Sequence, residues 1–180
     1  LETWWQVVGL KEAGEDLSRS PWVLPDWKID QLDEDSQPTD YAGIILGMIA
    51  AGMDPKDVEG RNLVDELAAL QNDDGSFGSW LHQTIWSVVA LDKAGGNYDV
   101  NTKDTALNFL LSQQKEDGGF ALMGEERDPD ITGMVLLALA PHTGVEGVTV
   151  AIDRAVQCLK DLQLSSGGFA SWGTENPEST

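Results

Sequence analysis

Two kinds of apolar pattern alternate along the chain. In segments 63–70, 107–111 and 152–162, apolar residues recur every three or four positions and the opposite face is polar. This spacing predicts amphipathic helices with one solvated face. In segments 41–52 and 132–143 nearly every position is apolar, which is typical of helices that are buried on both sides. The alternation predicts two layers, with an inner set of helices enclosed by an outer set.

A short motif follows each amphipathic segment. Segments 71–77, 114–120 and 163–169 all read Gln, three residues, Gly, a small residue and Phe. The apolar segments repeat as well, since 3–14 aligns on 84–95 without gaps. Self-similarity of this length indicates an array of helical hairpins within a single domain, 1–180. The repeats are approximately 1–36, 37–80, 81–123 and 128–173, and 174–180 begins a further one.

Boundary residues support these assignments. A polar residue followed by proline, as at Gln37 and Asp128, predicts the start of an inner helix, because the first helical position tolerates proline. Three glycines predict left-handed ends of the inner helices. They are Gly52, Gly95 and Gly144. Segment 15–36 breaks the pattern with two prolines and leaves room only for a short helix near 26–32.

Composition excludes several classes of function. There are 31 acidic against 11 basic residues, a formal net charge of −20, which opposes binding to nucleic acid and to anionic membranes. No apolar run approaches the ~20 residues needed to cross a bilayer, so the chain is predicted not to span a membrane. The single cysteine, Cys158, rules out an internal disulfide and a cysteine-rich zinc site.

The motif copies resemble the prenyltransferase/squalene-oxidase repeats shared by squalene and terpenoid cyclases and by protein prenyltransferase β subunits. Segments 39–42, 112–120, 128–132 and 171–179 more specifically resemble cyclase-like domains of Gram-positive bacterial surface proteins. The resemblance implies an all-α fold, an α/α toroid of inner and outer helices. It is incomplete here, with about three hairpins and a leading inner helix. It also implies an extracellular or cell-surface location, and the open edge is a candidate surface for self-association.

Segment 128–132 holds the one candidate for catalysis. It resembles the Asp-x-Asp-Asp-Thr motif of class II terpene cyclases, in which Asp130 takes the position of the proton donor and Asp128 flanks it. Ile131 stands where the motif has another Asp. The competing interpretation, which we favour, is a helix start with Asp128 as the N-cap and Asp130 in the first turn.

The sequence supplies no metal or cofactor site. A prenyltransferase zinc needs Asp, Cys and His ligands, but Cys158 lies inside an outer-helix pattern, and His82 and His142 lie at opposite ends of different inner helices. The acidic run 30–35 lacks the spacing of an EF-hand, so a solvated charge run is favoured over a calcium site.

The leading hypothesis is a non-catalytic domain that binds a small apolar ligand or a protein partner. The alternatives are an isoprenoid or terpenoid cyclase or prenyltransferase-type enzyme, and a binding module similar to cobalamin carriers. The candidate ligand-binding residues lie in the inner helices. They are Tyr41, His82, Gln83, Trp86, Asp130 and Thr132.

Overall fold

The computed structural model describes residues 1–19, 21–95, 100–124, 126–171 and 174–175 of the 180-residue chain. Its α-helices are α1 Trp4–Glu12, α2 Pro38–Ala50, α3 Leu63–Ala69, α4 Leu81–Lys93, α5 Val100–Ser112, α6 Pro129–Leu139 and α7 Val148–Leu162. Two short 3-10 helices span Ile29–Gln31 and Ala140–His142. A two-residue strand, β1 Ala170–Ser171, pairs antiparallel with β2 Thr174–Glu175.

The helices form two layers. Helices α1, α2, α4 and α6 pack on one another in succession. Helix α3 lies against α2 and α4, helix α5 against α4, and helix α7 against α6. These contacts confirm the prediction of an all-α fold with an inner and an outer set. The one-sided and two-sided apolar patterns therefore correspond to real positions in the two layers.

The core lies between the layers. Phe77 and Phe120, which come from the first two copies of the repeated motif, are completely buried. Around them lie inner-helix residues such as Ile85 and Val135 and outer-helix residues such as Leu107, all without solvent contact. Phe77 and Phe120 thus each join an outer helix to the inner helix that follows it.

The helix starts are those predicted. The Oδ1 atom of Asp128 accepts the backbone N–H groups of Asp130 at 2.8 Å and of Ile131 at 3.2 Å, and α6 begins at the next residue, Pro129. This geometry is an N-cap, and it confirms the cap interpretation of Asp128. At the start of α2, the N–H of Gln37 donates to the Oδ2 of Asp40 at 2.8 Å.

Of the three predicted glycine ends, one is wrong. Gly52 and Gly95 take the left-handed conformation, with φ of 79° and 77°. Gly144 does not, because α6 continues into the 3-10 helix Ala140–His142, in which Pro141 supplies no N–H for an α-helical bond. The left-handed glycine of this connection is Gly147, directly before α7.

Segment 15–36 is tied to the outer layer by a cation. The short helix predicted near 26–32 is the 3-10 helix Ile29–Gln31. The guanidinium of Arg61 donates to the carbonyls of Ile29 and Leu32, and it also pairs with Glu66 of α3 at 2.6 Å. The guanidinium of Arg61 therefore links this segment to an outer helix, as the motif glutamines link the later loops to theirs.

Two motif glycines allow a matched test of how the loops pack on the outer helices. Gly118 and Gly167 have nearly the same φ, 86° and 91°. A Cβ on Gly118 would lie 2.6 Å from the carbonyl oxygen of Arg154 in α7, whereas a Cβ on Gly167 would meet no described atom within 4 Å. Left-handed strain of ~1–2 kcal/mol affects both alanine variants, and overpacking of ~1–3 kcal/mol affects only Gly118→Ala.

We therefore expect Gly118→Ala to lower the free energy of unfolding, measured by urea denaturation, by clearly more than Gly167→Ala does. Equal losses in the two variants would show that the second loop does not pack on α7 in the way described.

Candidate functional site

A buried threonine fixes each of the first two motif loops to the inner helix that follows. The Oγ1 of Thr132 accepts the N–H of Phe120 at 3.0 Å and lies 3.4 Å from the Phe120 carbonyl oxygen, to which it donates. Thr84 makes the same pair of bonds with Phe77, at 2.8 and 3.4 Å. Both threonines are fully buried. The hydroxyl of Thr132, which the sequence suggested as a ligand contact, is therefore engaged within the fold.

The motif glutamine joins its loop to the next outer helix. The Nε2 of Gln114 donates to the carbonyl of Gly118 at 3.0 Å and to that of Ala151, in the first turn of α7, at 2.8 Å. Arg154 of α7 completes the junction by donating to the Oε1 of Gln114 at 2.9 Å. In the preceding repeat the same amide bonds, of 3.0 and 2.8 Å, join Gln71 to Gly75 and Thr102.

Gln83 is a structural link between two inner helices. Its Oε1 accepts the N–H groups of Ser79 at 2.8 Å and of Trp80 at 3.0 Å, ahead of α4. Its Nε2 donates to the Oε1 of Gln37, the residue before α2, at 2.9 Å. The side chain is buried and each amide atom has a partner, so Gln83 holds the starts of α2 and α4 together.

Tyr41 faces the outer layer. Its side chain is buried, and burial raises the pKa of its phenol, as does the nearby carboxylate of Glu66, while the guanidinium of Arg61 acts in the opposite direction. The tyrosine thus lies beside the Arg61–Glu66 ion pair that anchors α3. The six candidate residues do not present one shared surface, since Tyr41, Gln83 and Thr132 are buried.

The two carboxylates of the candidate acid motif have different surroundings. Asp128 is half-buried and its Oδ1 holds the first turn of α6. Asp130 is exposed in that turn, and Ile131 beside it is buried. Because its Oδ1 is engaged as the cap of α6, this atom of Asp128 is not free to face a substrate.

Three indole rings gather on the partly exposed side of the inner layer. Trp4 and Trp5 of α1 stack with centroids 4.0 Å apart, and the ring of Trp86 from α4 stands edge-on to Trp5 at 4.8 Å and to Trp4 at 5.7 Å. The ring of Trp4 lies across Gly43 of α2, where any Cβ would overlap it. We call Trp4, Trp5 and Trp86 the tryptophan cluster.

The tryptophan cluster leaves apolar surface open to solvent. Trp5 is 52% exposed, and Leu137, a further inner-helix residue, is 51% exposed. The aligned repeats place Trp5, Gly43, Trp86 and Met134 at one equivalent position of the four inner helices. Of the three tryptophans, only Trp86 is among the candidate binding residues from the sequence, although the same alignment marks Trp5 as its equivalent.

His82 is a predicted site residue whose imidazole is poorly solvated. It is the second residue of α4 and is half-buried. Its Nδ1 is buried, and no described residue offers it a hydrogen-bond partner. Burial lowers the pKa of the imidazole from its ordinary value of 6.5. The neutral ring is therefore favoured at this position.

Within the described ranges, no group of three or more His, Cys, Asp or Glu side chains is arranged to hold a metal ion. Cys158 is fully buried, and desolvation, followed by the charge of Asp117, raises the pKa of its thiol. His142 pairs instead with Asp92 of α4, with Nε2 and Oδ2 2.6 Å apart. The helices that the structure describes include none that is long and apolar enough to cross a membrane.

Comparison with known families identifies the architecture. The family model described as the prenyltransferase alpha-alpha toroid domain matches residues 44–179, which is most of the chain. No curated protein matches the chain. Together with the two helical layers, this match confirms the α/α toroid that the repeats implied.

The low pKa of His82 has a consequence for stability. The unfolded chain binds the proton more readily than the folded chain does, because only the folded chain buries the imidazole. Above about pH 6.5 both states are neutral at this residue, and His82 has no effect on the pH dependence. As the pH falls through that value, the unfolded state gains protons first and stability decreases.

We expect the wild-type protein to lose more unfolding free energy between pH 8 and pH 5 than His82→Gln, measured by urea denaturation. Glutamine keeps a polar side chain of similar reach but does not titrate, so the shared titration of the acidic residues cancels. Parallel pH profiles for the two proteins would refute the assignment.

Proposed function

Because the chain belongs to the family of prenyltransferase alpha-alpha toroid domains, we propose that its inner helices bind a small apolar ligand without transforming it. The observation that carries this proposal is the tryptophan cluster. A stacked pair of indoles meets a third ring edge-on, and half of the Trp5 side chain is open to solvent. Rigid aromatic surface of this kind binds apolar groups at little cost in conformational entropy.

The cluster is pre-organised for this role. Gly43 allows the ring of Trp4 to lie directly on the backbone of α2, so the ring is held from below by main chain rather than by mobile side chains. Trp86 fixes the stack from the side of α4. Aromatic residues bury 150–250 Å² each when covered, so a ligand on the open side gains roughly 25 cal/mol for each Å² of apolar area removed from water.

The surroundings of Asp128 and Asp130 support the proposal that the ligand is bound and not chemically transformed. An acid that protonates an alkene must remain protonated at neutral pH, which requires burial in apolar surroundings. Asp130 is exposed, and the Oδ1 of Asp128 is engaged by two backbone N–H groups as the cap of α6. These features support binding over an isoprenoid cyclase or prenyltransferase-type activity.

Two further parts of this proposal concern the setting of the domain. A cell-surface location in a Gram-positive bacterium is supported by the resemblance of segments such as 112–120 and 128–132. Self-association is supported by large apolar side chains that the inner layer leaves exposed, such as Trp5 at 52% and Leu137 at 51%.

The binding proposal is tested with Nile red, an uncharged apolar dye, and with farnesol as its competitor. We expect the dye to bind with increased fluorescence and farnesol to displace it. Trp5→Ala should weaken dye binding about fivefold or more, since truncating an aromatic anchor typically costs over 1 kcal/mol. Trp80→Ala is the matched control, because Trp80 is similarly exposed, at 46%, but lies outside the cluster.

Equal weakening by Trp5→Ala and Trp80→Ala would overturn the assignment of the ligand to the cluster. Turnover is examined separately, by extracting products after incubation with squalene or geranylgeranyl diphosphate. Formation of a product by the wild-type protein, abolished in Asp130→Asn, would establish the enzymatic alternative instead.

A further inference from the structure

A cleft separate from the tryptophan cluster opens between segment 26–30 and segment 53–59. Its volume is about 550 Å³, within the range of small-molecule sites. One wall is the segment around the 3-10 helix Ile29–Gln31, and the other is the connection from α2 to α3. None of the residues predicted from the sequence to bind a ligand lines it.

The floor of the cleft is apolar. It is formed by the indole of Trp27, the fully buried Met48 and the partly exposed Met53. The ring of Trp27 packs tightly on Gly47 of α2, where an added Cβ would lie 2.5 Å from it. The floor is therefore fixed in position by a close ring-to-backbone contact and can support an aliphatic chain.

The rim of the cleft is strongly anionic. Five carboxylates line it, against one lysine, and none of the five forms a salt bridge with any residue that the structure describes. The rim residues are Asp26, Asp30, Asp54, Asp57 and Glu59, with Lys28 as the cation. The other nearby lysine, Lys56, directs its ammonium towards Gly95 and does not line the cleft.

The apolar floor and the acidic rim together restrict which kind of molecule the cleft can bind. An apolar floor favours methylene groups, and several carboxylates without a salt bridge to a described residue favour more than one positive charge. An inorganic cation would leave the floor uncovered, and a fatty acid would be repelled by the rim. A protein partner generally needs about 800 Å² of surface on each side, so a cleft of this volume fits a small molecule better.

We propose that this cleft binds a small aliphatic polyamine, with its methylene groups on Trp27 and Met53 and its ammonium groups at the acidic rim. Asp26 and Asp54 each accept one backbone N–H, and the remaining lone pairs of the rim carboxylates form charge-assisted hydrogen bonds with the ammonium groups. The ammonium of Lys28, the one cation at the rim, competes with the polyamine for the rim carboxylates. The proposal is independent of the proposed function, since it uses neither the tryptophan cluster nor the inner-helix acids.

The test is isothermal titration of the protein with spermidine in 150 mM NaCl, where the Debye length is about 8 Å and diffuse attraction is screened. We expect saturable binding to one site. The double variant Asp54→Asn/Asp57→Asn should weaken it by about threefold to tenfold, because each rim charge contributes a few tenths to 1 kcal/mol. Lys28→Gln should tighten it.

The matched control is Glu146→Gln/Asp153→Asn, which removes the same charge from exposed positions far along the chain. The floor is tested with cadaverine against ethylenediamine, which carry two ammonium groups each, and we expect the longer chain to bind more tightly. Equal weakening by the two double variants would overturn the proposal, because it would indicate attraction to the overall charge of −20. The proposal would also be overturned if spermidine did not bind, or if calcium displaced it stoichiometrically.

Discussion

The structure depends on how a buried loop satisfies its own backbone. The first two motif loops each carry a phenylalanine into the core, and its N–H and carbonyl groups enter with it. A buried backbone group without a partner costs about 1–3 kcal/mol. In the first two loops a threonine from the next inner helix supplies both bonds, as Thr132 does for Phe120. The inner layer is therefore joined to the outer layer by hydrogen bonds as well as by apolar contact.

The same loop also sets the spacing of the outer helices. The amide of Gln114 reaches from the loop to Ala151 in the first turn of α7, and left-handed Gly118 lets that helix approach to within contact of the loop backbone. Gln, Gly, Phe and Thr thus act together, since each fixes a different neighbour of one turn. This explains why these residues recur in the sequence while the residues between them vary.

Much of this architecture could be predicted from the sequence because it repeats. The periodicities of the apolar residues predicted the two layers. Asp128 followed by Pro129 predicted the start and the cap of α6. Other features depend on contacts between distant segments, which periodicity does not encode. Examples are the bond from Gln83 to Gln37 and the fork of Arg61 that replaces a motif loop.

The candidate sites also depend on contacts between distant segments, which the sequence pattern does not encode. The inner-helix alignment pointed to Trp86, but the stacking of Trp4 and Trp5 depends on Gly43 of a neighbouring helix. The acidic cleft joins two connections between helices, and of its rim only Asp30 belongs to the acidic run 30–35, for which the sequence favoured a solvated charge run. The net charge of −20 opposes binding to nucleic acid and to anionic membranes. Part of this charge is concentrated at the rim of one cleft.

The central claim is that the motif loops belong to the core of the fold. Native-state hydrogen exchange of the Phe120 amide, followed by NMR with the amide of Val135 in α6 as reference, tests it most directly. Phe120 should exchange as slowly as Val135, with the free energy of global unfolding, because its bond to Thr132 opens only when the layers separate. Exchange of Phe120 at the rate of the exposed loop amide of Glu116 would contradict the account.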